Sequence, residues 1–219
     1  QGDDMFYSFT GTTDTVRVLG SYPYFGSIEL KFTLPGTNAA DTINGSTYGD
    51  VIQALDGNDV VNGLAGNDEL FGGNGNDTLN DGEGFDLLDG GAGDDVLNSP
   101  ALDIDNVYIG GAGNDTILGG RGDDDYYFSI GDGRDDITDQ PYIQGTTVDR
   151  SLYDKLRFGA GITSESIIVR RVNNDIIIDV TPSDSVTIRS WFFGYGEIES
   201  YYFDGVLGLR GAEVTQRAL

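Results

Sequence analysis

The sequence contains no cysteine and no histidine, and its 219 residues include only one methionine and one tryptophan. Without cysteine there is no disulfide, no thiolate metal ligand and no cysteine nucleophile. Without histidine the commonest acid-base side chain and the commonest nitrogen ligand for metals are missing. These absences exclude soft-metal sites and most hydrolase chemistry, and we expect no intrinsic enzymatic activity.

Basic residues are also scarce, because 12 lysines and arginines stand against 37 aspartates and glutamates, for a formal net charge of -25. Such a charge makes nucleic acid or an anionic membrane surface an unsuitable partner. Cations are the natural partners instead. No apolar run approaches the roughly 20 residues that a membrane-spanning helix needs, so no membrane span is predicted in the chain.

The sequence is instead rich in glycine, with 34 residues, and much of this glycine follows a nine-residue period between Gly36 and Tyr127. Each unit fits G-G-x-G-x-D-x-U-x, where U is a large apolar residue; this is a known calcium-binding consensus. The sixth position holds an acidic residue or its amide: Asp41, Asp50, Asp59, Asp68, Asp77, Asp86, Asp95, Asn106, Asp115 and Asp124. The eighth position is never strongly polar: Ile43, Ile52, Val61, Leu70, Leu79, Leu88, Leu97, Tyr108, Ile117 and Tyr126.

This spacing predicts a parallel β-roll, in which six residues turn, three extend, and two units complete one turn of the roll. Side chains alternate along each short strand, so the apolar residue points inward. Glycine in the turn lets backbone carbonyls approach an ion. Ca²⁺ takes 6 to 8 oxygen ligands, which carbonyls and carboxylates supply. The fourth position of seven units provides the candidate turn glycines Gly57, Gly66, Gly75, Gly84, Gly93, Gly113 and Gly122.

Because alternate units stack, the sixth-position residues form two ladders. The first ladder is predicted to contain Asp41, Asp59, Asp77, Asp95, Asp115 and, from a further unit after a two-residue spacer, Asp135. The second ladder contains Asp50, Asp68, Asp86, Asn106 and Asp124. One ion between each adjacent pair gives up to about eight or nine Ca²⁺ ions. We expect weaker binding beside Asn106, and poorer sites where Ala39, Tyr48 and Ile104 replace the fourth glycine.

The periodicity suggests three segments in an all-β chain. Residues 1–35 are interpreted as the end of a preceding repeat block with lead-in strands, which makes the chain part of a larger polypeptide. Residues 36–138 form the β-roll, with a small irregularity near Ser99 where the eighth unit has two extra residues. Residues 139–219 form a β-rich segment that caps the roll, with Trp191, Phe192, Phe193, Tyr195, Tyr201, Tyr202 and Phe203 as its apolar cover. A sugar- or receptor-binding platform is the alternative role for these aromatic residues.

The repeats resemble the RTX (repeats-in-toxin) family of bacterial proteins that are secreted by type I systems. The resemblance extends past the repeats through the segments 154–159, 174–178, 184–192 and 198–205. It implies a secreted, extracellular or cell-surface protein, exported unfolded through a type I secretion apparatus and folded outside by calcium, as part of a toxin or adhesin. The alternative is a module of an adhesin or toxin that binds a host-cell receptor or glycan.

Without calcium, residues 36–138 should be largely disordered, because stacked carboxylates repel and short strands bury too little apolar surface to offset chain entropy. Millimolar calcium should convert them to β-structure, since extracellular calcium modules have dissociation constants of about 10⁻⁴ to 10⁻³ M. A far-UV circular dichroism titration measures the transition. Full β-structure in excess chelator would contradict this expectation.

Overall fold

The computed structural model of the chain describes residues 5–8, 15–18, 32–99, 104–139, 142–144, 147–149, 153–190 and 198–218. The described residues form twenty-two strands and one short helix. The strands are β1 (Met5–Ser8), β2 (Thr15–Val18), β3 (Phe32–Pro35), β4 (Thr42–Asn44), β5 (Asp50–Asp56), β6 (Val60–Ala65), β7 (Glu69–Asn74), β8 (Thr78–Glu83), β9 (Leu87–Ala92), β10 (Val96–Asn98), β11 (Val107–Ala112), β12 (Thr116–Gly120), β13 (Asp125–Phe128), β14 (Arg134–Asp139), β15 (Tyr142–Gln144), β16 (Thr147–Asp149), β17 (Lys155–Phe158), β18 (Ile168–Val172), β19 (Asp175–Asp179), β20 (Ser185–Ile188), β21 (Ser200–Phe203) and β22 (Val206–Arg210). The helix is α1 (Gly211–Arg217). The prediction of an all-β chain is confirmed.

Two nine-stranded sheets face each other across the core. Sheet I has the order β22-β21-β17-β13-β11-β9-β7-β5-β3, and sheet II has the order β18-β19-β20-β14-β12-β10-β8-β6-β4. From β3 to β14 the chain alternates between the sheets, and every pairing along the roll is parallel. Two antiparallel pairs, β1 with β2 and β15 with β16, stand apart from these sheets. The predicted parallel β-roll is therefore confirmed.

The register of the sheets follows directly from the nine-residue repeat. Val61 pairs with Leu79 in sheet II and Ile52 pairs with Leu70 in sheet I, so each step joins residues two units apart. Across the eighth unit the step lengthens by the two extra residues, and Leu88 pairs with Tyr108. The insertion changes the spacing along the chain without shifting the apolar positions out of register.

The core is a double column of eighth-position side chains. Eleven of the best-buried residues belong to these positions or continue them into β14 and β17, all at 2% exposure or less: Ile52, Val61, Leu70, Leu79, Leu88, Leu97, Tyr108, Ile117, Tyr126, Ile137 and Leu156. Period-two alternation in the strands explains this, because a strand residue flanked by two outward neighbours points inward. Each turn of the roll thus adds one apolar layer to a core that no single pair of strands could form.

Parallel stacking continues into the C-terminal part of the chain. There β17 stacks on β13, β21 on β17, and β20 on β14. The ends of both sheets are antiparallel, through β18, β19 and β22. Helix α1 packs against β18 and β22, and its Val214 is fully buried. The boundaries at residues 36, 138 and 139 remain predictions.

At the C-terminal end of the core, aromatic side chains join the aliphatic ones. Phe158 stacks on Phe203 with ring centroids 5.0 Å apart, and Phe128 meets Phe158 edge-on at 6.3 Å. Tyr201 is also fully buried, whereas Tyr202 is partly exposed. The other aromatic residues of the proposed cap, Trp191, Phe192, Phe193 and Tyr195, lie outside the described residues.

Helix α1 is far too short to cross a bilayer, and within the described ranges no helix combines the length and apolar character that a membrane span requires.

Replacing Gly75 by alanine should destabilise the roll more than replacing Gly131. Both glycines have positive φ, 122° and 101°, so either substitution strains the backbone by about 1–3 kcal/mol. A Cβ on Gly75 would also overlap the carbonyl oxygen of Gly57 one turn below, whereas a Cβ on Gly131 meets nothing within 4 Å. The overlap should add about 1–3 kcal/mol. Denaturant midpoints in saturating calcium measure the difference, and equal midpoints would show that the stacked turns are not in close contact.

Candidate metal centres

The two predicted ladders lie along the two edges of the roll, where the chain passes from one sheet to the other. Between β5 and β10 each turn spans three residues, as in Gly84, Phe85 and Asp86 between β8 and β9. First-ladder residues stand at the start of strands in sheet II, and second-ladder residues stand at the start of strands in sheet I. The structure therefore brings the predicted sixth-position residues together in the two predicted series.

Within each ladder, the side-chain Oδ1 atom of every rung after the first accepts a hydrogen bond from a backbone amide of the preceding turn. In the first ladder the Asp59 amide donates to Asp77 Oδ1 at 2.8 Å, and the Asp77 amide donates to Asp95 Oδ1 at 2.7 Å. The series continues to Asp115 and Asp135, and begins with the Asp41 amide on Asp59. The second ladder repeats the arrangement through Asp50, Asp68, Asp86, Asn106 and Asp124. The hydrogen bonds fix the orientation of each carboxylate.

The second carboxylate oxygen is left without a hydrogen-bond donor in five first-ladder residues. These are the buried Oδ2 atoms of Asp59, Asp77, Asp95, Asp115 and Asp135, none of which has a hydrogen-bond partner. All five residues are at most 2% exposed. A buried carboxylate oxygen without a partner is costly unless a cation compensates it. The row of bare oxygens therefore fits a series of bound metal ions.

Backbone carbonyl oxygens line the same turns. A Cβ on Gly73 would overlap the carbonyl oxygen of Leu55, and a Cβ on Gly93 would overlap that of Gly75. The turn glycines named from the sequence, Gly57, Gly66, Gly75, Gly84, Gly93, Gly113 and Gly122, all have φ between 120° and 155°. The backbone carbonyl oxygens of one turn thus lie against glycines of the adjacent turn, which have no side chain. Carboxylates and carbonyls together supply only oxygen donors, the set that Ca²⁺ prefers.

The first two units differ from those that follow. Thr37 donates to Asp41 Oδ2 from its amide at 2.6 Å and from its hydroxyl at 2.7 Å. In the next unit the Ser46 amide donates to Asp50 Oδ2 at 2.6 Å. These donors occupy the oxygen that is bare in Asp77 and Asp95. The structural difference lies in the same units where the sequence lacks the fourth glycine.

Three acidic residues of the site were missed in the sequence. The second ladder continues beyond Asp124, because the Asp124 amide donates to Asp154 Oδ1 at 2.8 Å and the Asp154 amide donates to Glu199 Oε2 at 2.9 Å. Asp139 points inward from sheet II, and one oxygen each of Asp124, Asp139 and Asp154 lie within 4.8 Å of one another. All three carboxylates are buried.

A local signal for two of these residues is present in the sequence. Asp154-Lys155-Leu156-Arg157 and Glu199-Ser200-Tyr201-Tyr202 each repeat the acid-x-U-x half of the nonapeptide, without the preceding glycines. The first ladder behaves differently, because β20 places the buried Val186 opposite Asp135. The carboxylate series therefore ends at Asp135 on one edge and runs into the C-terminal strands on the other.

Burial raises the pKa of several ladder carboxyl groups far above the ordinary value of 3.8. The pKa rises to about 9 for Asp124 and to about 11 for Asp154, through burial first and the charge of Asp139 second. Burial likewise raises the pKa of Asp135 to about 8 and that of Asp95 to about 7, with neighbouring carboxylates adding to the effect. In a metal-free fold Asp124, Asp135 and Asp154 are therefore mostly protonated at neutral pH and Asp95 is partly protonated, whereas a bound cation favours the ionised form.

The family model described as the RTX calcium-binding nonapeptide repeat (4 copies) matches residues 35–70, 71–99 and 102–137. Together with the parallel roll, this match defines a calcium-binding repeat module. The repeats of this chain are RTX repeats, and the resemblance predicted from the sequence is confirmed. The RTX repeat is a structural calcium-binding motif and not a catalytic family.

No curated protein matches the chain. Among solved structures, the extracellular lipase LipA from Serratia marcescens is similar, with 17% sequence identity and a TM-score of 0.32. The similarity covers 74% of this chain and 38% of the lipase chain, so the chain spans well under half of that protein.

In excess chelator, acidification from pH 8 to pH 5 should increase β-structure. The folded-state pKa values of Asp95, Asp124, Asp135 and Asp154 lie above the unfolded value, so the metal-free fold binds more protons than the unfolded chain. The stability that these protonated groups contribute to the metal-free fold is fully present below about pH 4 and is lost as pH rises through their folded-state pKa values. With calcium present the dependence reverses, because protons compete with the ion and weaken its binding at low pH. Circular dichroism and calcium titrations at several pH values measure both arms.

The control for this pH dependence separates the buried groups from the general loss of charge in acid. Asp124→Asn with Asp154→Asn removes two groups with raised pKa values and should weaken the pH response in chelator. Asp56→Asn with Asp204→Asn removes two exposed carboxylates and should leave it nearly unchanged. Equal responses in the two double variants would show that the ladder carboxylates do not control the metal-free fold.

Proposed function

We propose that the chain is a calcium-dependent folding module, unfolded without calcium and folded when up to about eight or nine Ca²⁺ ions bind along its two ladders. The row of buried Oδ2 atoms without hydrogen-bond partners, in Asp59, Asp77, Asp95, Asp115 and Asp135, carries the proposal. The ligands would be the ladder carboxylates with carbonyls of turns that contain Gly57, Gly66, Gly75, Gly84, Gly93, Gly113 and Gly122. The second ladder would contribute Asp50, Asp68, Asp86 and Asp124, with Asp154 as an added member, and Asp41 would complete the first.

Calcium suits these turns better than magnesium. Mg²⁺ requires a near-ideal octahedron at about 2.0–2.1 Å and retains several waters, whereas Ca²⁺ accepts 6 to 8 oxygens at about 2.3–2.6 Å in irregular arrangements. Stacked turns that present carbonyls and carboxylates from two levels resemble the second case. Zinc and copper prefer nitrogen and sulfur ligands, and the chain contains neither histidine nor cysteine.

The energetics of one turn explain why folding should require the ion. Carboxylates spaced at the strand separation of about 4.8 Å repel by roughly 3–4 kcal/mol at an effective dielectric of about 20. Burial of one leucine in the core contributes about 1.5–3 kcal/mol. The apolar layer therefore does not offset the repulsion of its own rung, and the chain entropy of the turn opposes folding further. A divalent cation converts the repulsion into attraction.

Folding that depends on calcium binding suits a protein that is exported from a cell. In a compartment poor in calcium the chain would stay unfolded, as passage through a type I secretion apparatus requires, and extracellular calcium would then fold it. The support is the RTX match together with a net charge of -25, which opposes compaction in the absence of cations. We further propose that the module belongs to a larger secreted toxin or adhesin, located outside the cell or on its surface.

In this proposal the segments have separate tasks. Residues 36–138 bind the ions, residues 139–219 close the C-terminal end of the roll, and residues 1–35 lead in from a preceding block. The closure is supported by Val214 of α1, which is fully buried where the helix meets β18 and β22. An uncovered end would expose core side chains and unpaired strand edges.

Asp95→Asn should reduce calcium binding, while Asp94→Asn should not. The two residues are adjacent and undergo the same chemical change, but Asp95 is buried with a bare Oδ2 and Asp94 is exposed. Loss of one ion would cost about 2.7 kcal/mol when free calcium is a hundredfold above the dissociation constant. Isothermal titration calorimetry gives the number of ions, and circular dichroism gives the folding midpoint in calcium.

Equal binding by these two variants would refute the ladder as the calcium site. The same pair tests the export role in cells that carry a type I apparatus and the complete parent polypeptide. Asp95→Asn should slow release into calcium-containing medium and have no effect in calcium-free medium, and Asp94→Asn should match the unmodified protein in both. An Asp95→Asn variant that is exported normally in both media would separate calcium binding from secretion.

A further inference from the structure

The second ladder contains one rung that is built differently from the rest. Asn106 stands where the sixth position otherwise carries aspartate, and Asp81 stands at a first position, where Gly63, Gly72 and Gly90 occupy the corresponding places. The two departures from the consensus thus lie in successive units of the second ladder. Both residues are buried, Asp81 at 0% and Asn106 at 3% exposure.

The two exceptional residues are hydrogen-bonded to each other. Asn106 Nδ2 donates to Asp81 Oδ2 at 3.1 Å, and it also donates to the hydroxyl oxygen of Tyr108 at 3.2 Å. Asn106 Oδ1 accepts the Asp86 amide at 2.9 Å, as the aspartates of the ladder do. The amide group of Asn106 therefore uses its oxygen and both hydrogens inside the protein.

The surroundings extend the pairing on both sides. Asp81 Oδ1 accepts the amide of Gly82 at 2.5 Å. The Tyr108 hydroxyl, having accepted from Asn106, donates to the carbonyl of Gly119 at 2.9 Å. This network crosses the core from one sheet to the other. Buried polar groups that satisfy one another in this way fix a single arrangement of their side chains.

Regular rungs show what the pair replaces. In the units of Asp77 and Asp95, Oδ2 is bare and points towards the first-position glycine, where a Cβ on Gly72 or Gly90 would approach Oδ2 to 2.5 Å. In the Asn106 rung the –NH₂ group takes the place of that bare oxygen. The carboxylate comes instead from Asp81, the first-position residue of the preceding second-ladder unit, where Gly63 stands in the unit of Asp68.

An amide nitrogen cannot ligate Ca²⁺, and its hydrogens repel the ion. The donor hydrogens of Asn106 supply the positive partner that a calcium ion supplies in a regular rung. The Asp81 carboxylate thereby becomes compensated without metal. This changes the expectation from weaker calcium binding beside Asn106 to a rung that is complete without the ion.

We propose that Asp81 and Asn106 form a metal-independent rung, a hydrogen-bonded pair that takes the place of one calcium ion in the second ladder. The pair divides that ladder into two ion-binding stretches, Asp50 to Asp86 and Asp124 to Asp154. The inference rests on the proposed calcium-binding function. Its specific content is that Asp81 is not a calcium ligand and that the number of ions is set partly by this pair.

The test restores the consensus at both positions. Asp81→Gly combined with Asn106→Asp returns glycine to the first position and aspartate to the sixth, and this variant should bind one more calcium ion per chain than the unmodified protein. Native mass spectrometry and calorimetry count the ions. The matched control is Asp56→Gly with Asn74→Asp, the same exchange in an exposed pair with Asn74 Nδ2 2.7 Å from Asp56 Oδ1, which should leave the count unchanged.

A second variant keeps the proposal testable if the double variant does not fold. Asp81→Asn preserves the size of the side chain and removes its charge, so the number of bound ions should stay the same. Loss of an ion in Asp81→Asn would identify Asp81 as a calcium ligand and overturn the proposal, as would an unchanged count in a folded consensus variant. Failure of the unmodified chain to bind calcium would instead refute the proposed function.

Discussion

Repulsion between stacked carboxylates is the constraint on which the rest of this structure depends. The nine-residue repeat places an aspartate at each turn except that of Asn106, and parallel stacking brings these side chains within hydrogen-bonding distance of backbone amides one turn away. One oxygen is satisfied by that amide, and in the first ladder the other stays bare from Asp59 to Asp135. The fold therefore holds a row of buried carboxylate oxygens without a hydrogen-bond partner, and a cation bound between the turns would supply the compensating charge.

The core and the ladders cannot be separated, because one register sets both. The pairing that stacks Leu70 on Leu88 also places Asp68 and Asp86 in adjacent turns. A slip of one residue would turn the apolar column outward and would also misalign the carboxylates. An ion bound between two turns would therefore also favour the correct register of the strands. In the eighth unit two extra residues are accommodated and the register is recovered at Tyr108.

The sequence was sufficient to predict the roll and the two ladders, since both follow from the period and from the alternation of strand side chains. Asp154 and Glu199 were missed because their acid-x-U-x patterns lack the glycine turn that marks a unit. Asp81 and Asp139 were missed for another reason. They point inward from strands of sheet II, and their neighbours come from residues distant in the sequence, such as Asn106 for Asp81 and Tyr126 for Asp139.

Tyrosine in the core supplies a hydrogen-bond donor to one of these inward carboxyl groups, that of Asp139. Tyr108 and Tyr126 replace aliphatic residues at the eighth position and stack with ring centroids 5.3 Å apart. A buried hydroxyl needs a partner. The Tyr108 hydroxyl donates to the Gly119 carbonyl, and the Tyr126 hydroxyl donates to Asp139 at 2.8 Å.

Tyrosine at the eighth position thus places hydroxyl groups in the core of the last glycine-rich units. From there the second ladder continues without glycine turns, through Asp154 to Glu199, while Val186 ends the first. The two edges of the roll therefore end by different means. On the first edge an apolar residue replaces the charge. On the second edge the carboxylates continue to the residues that precede β17 and β21, so buried carboxylates beside the C-terminal strands belong to the same series as those of the repeats.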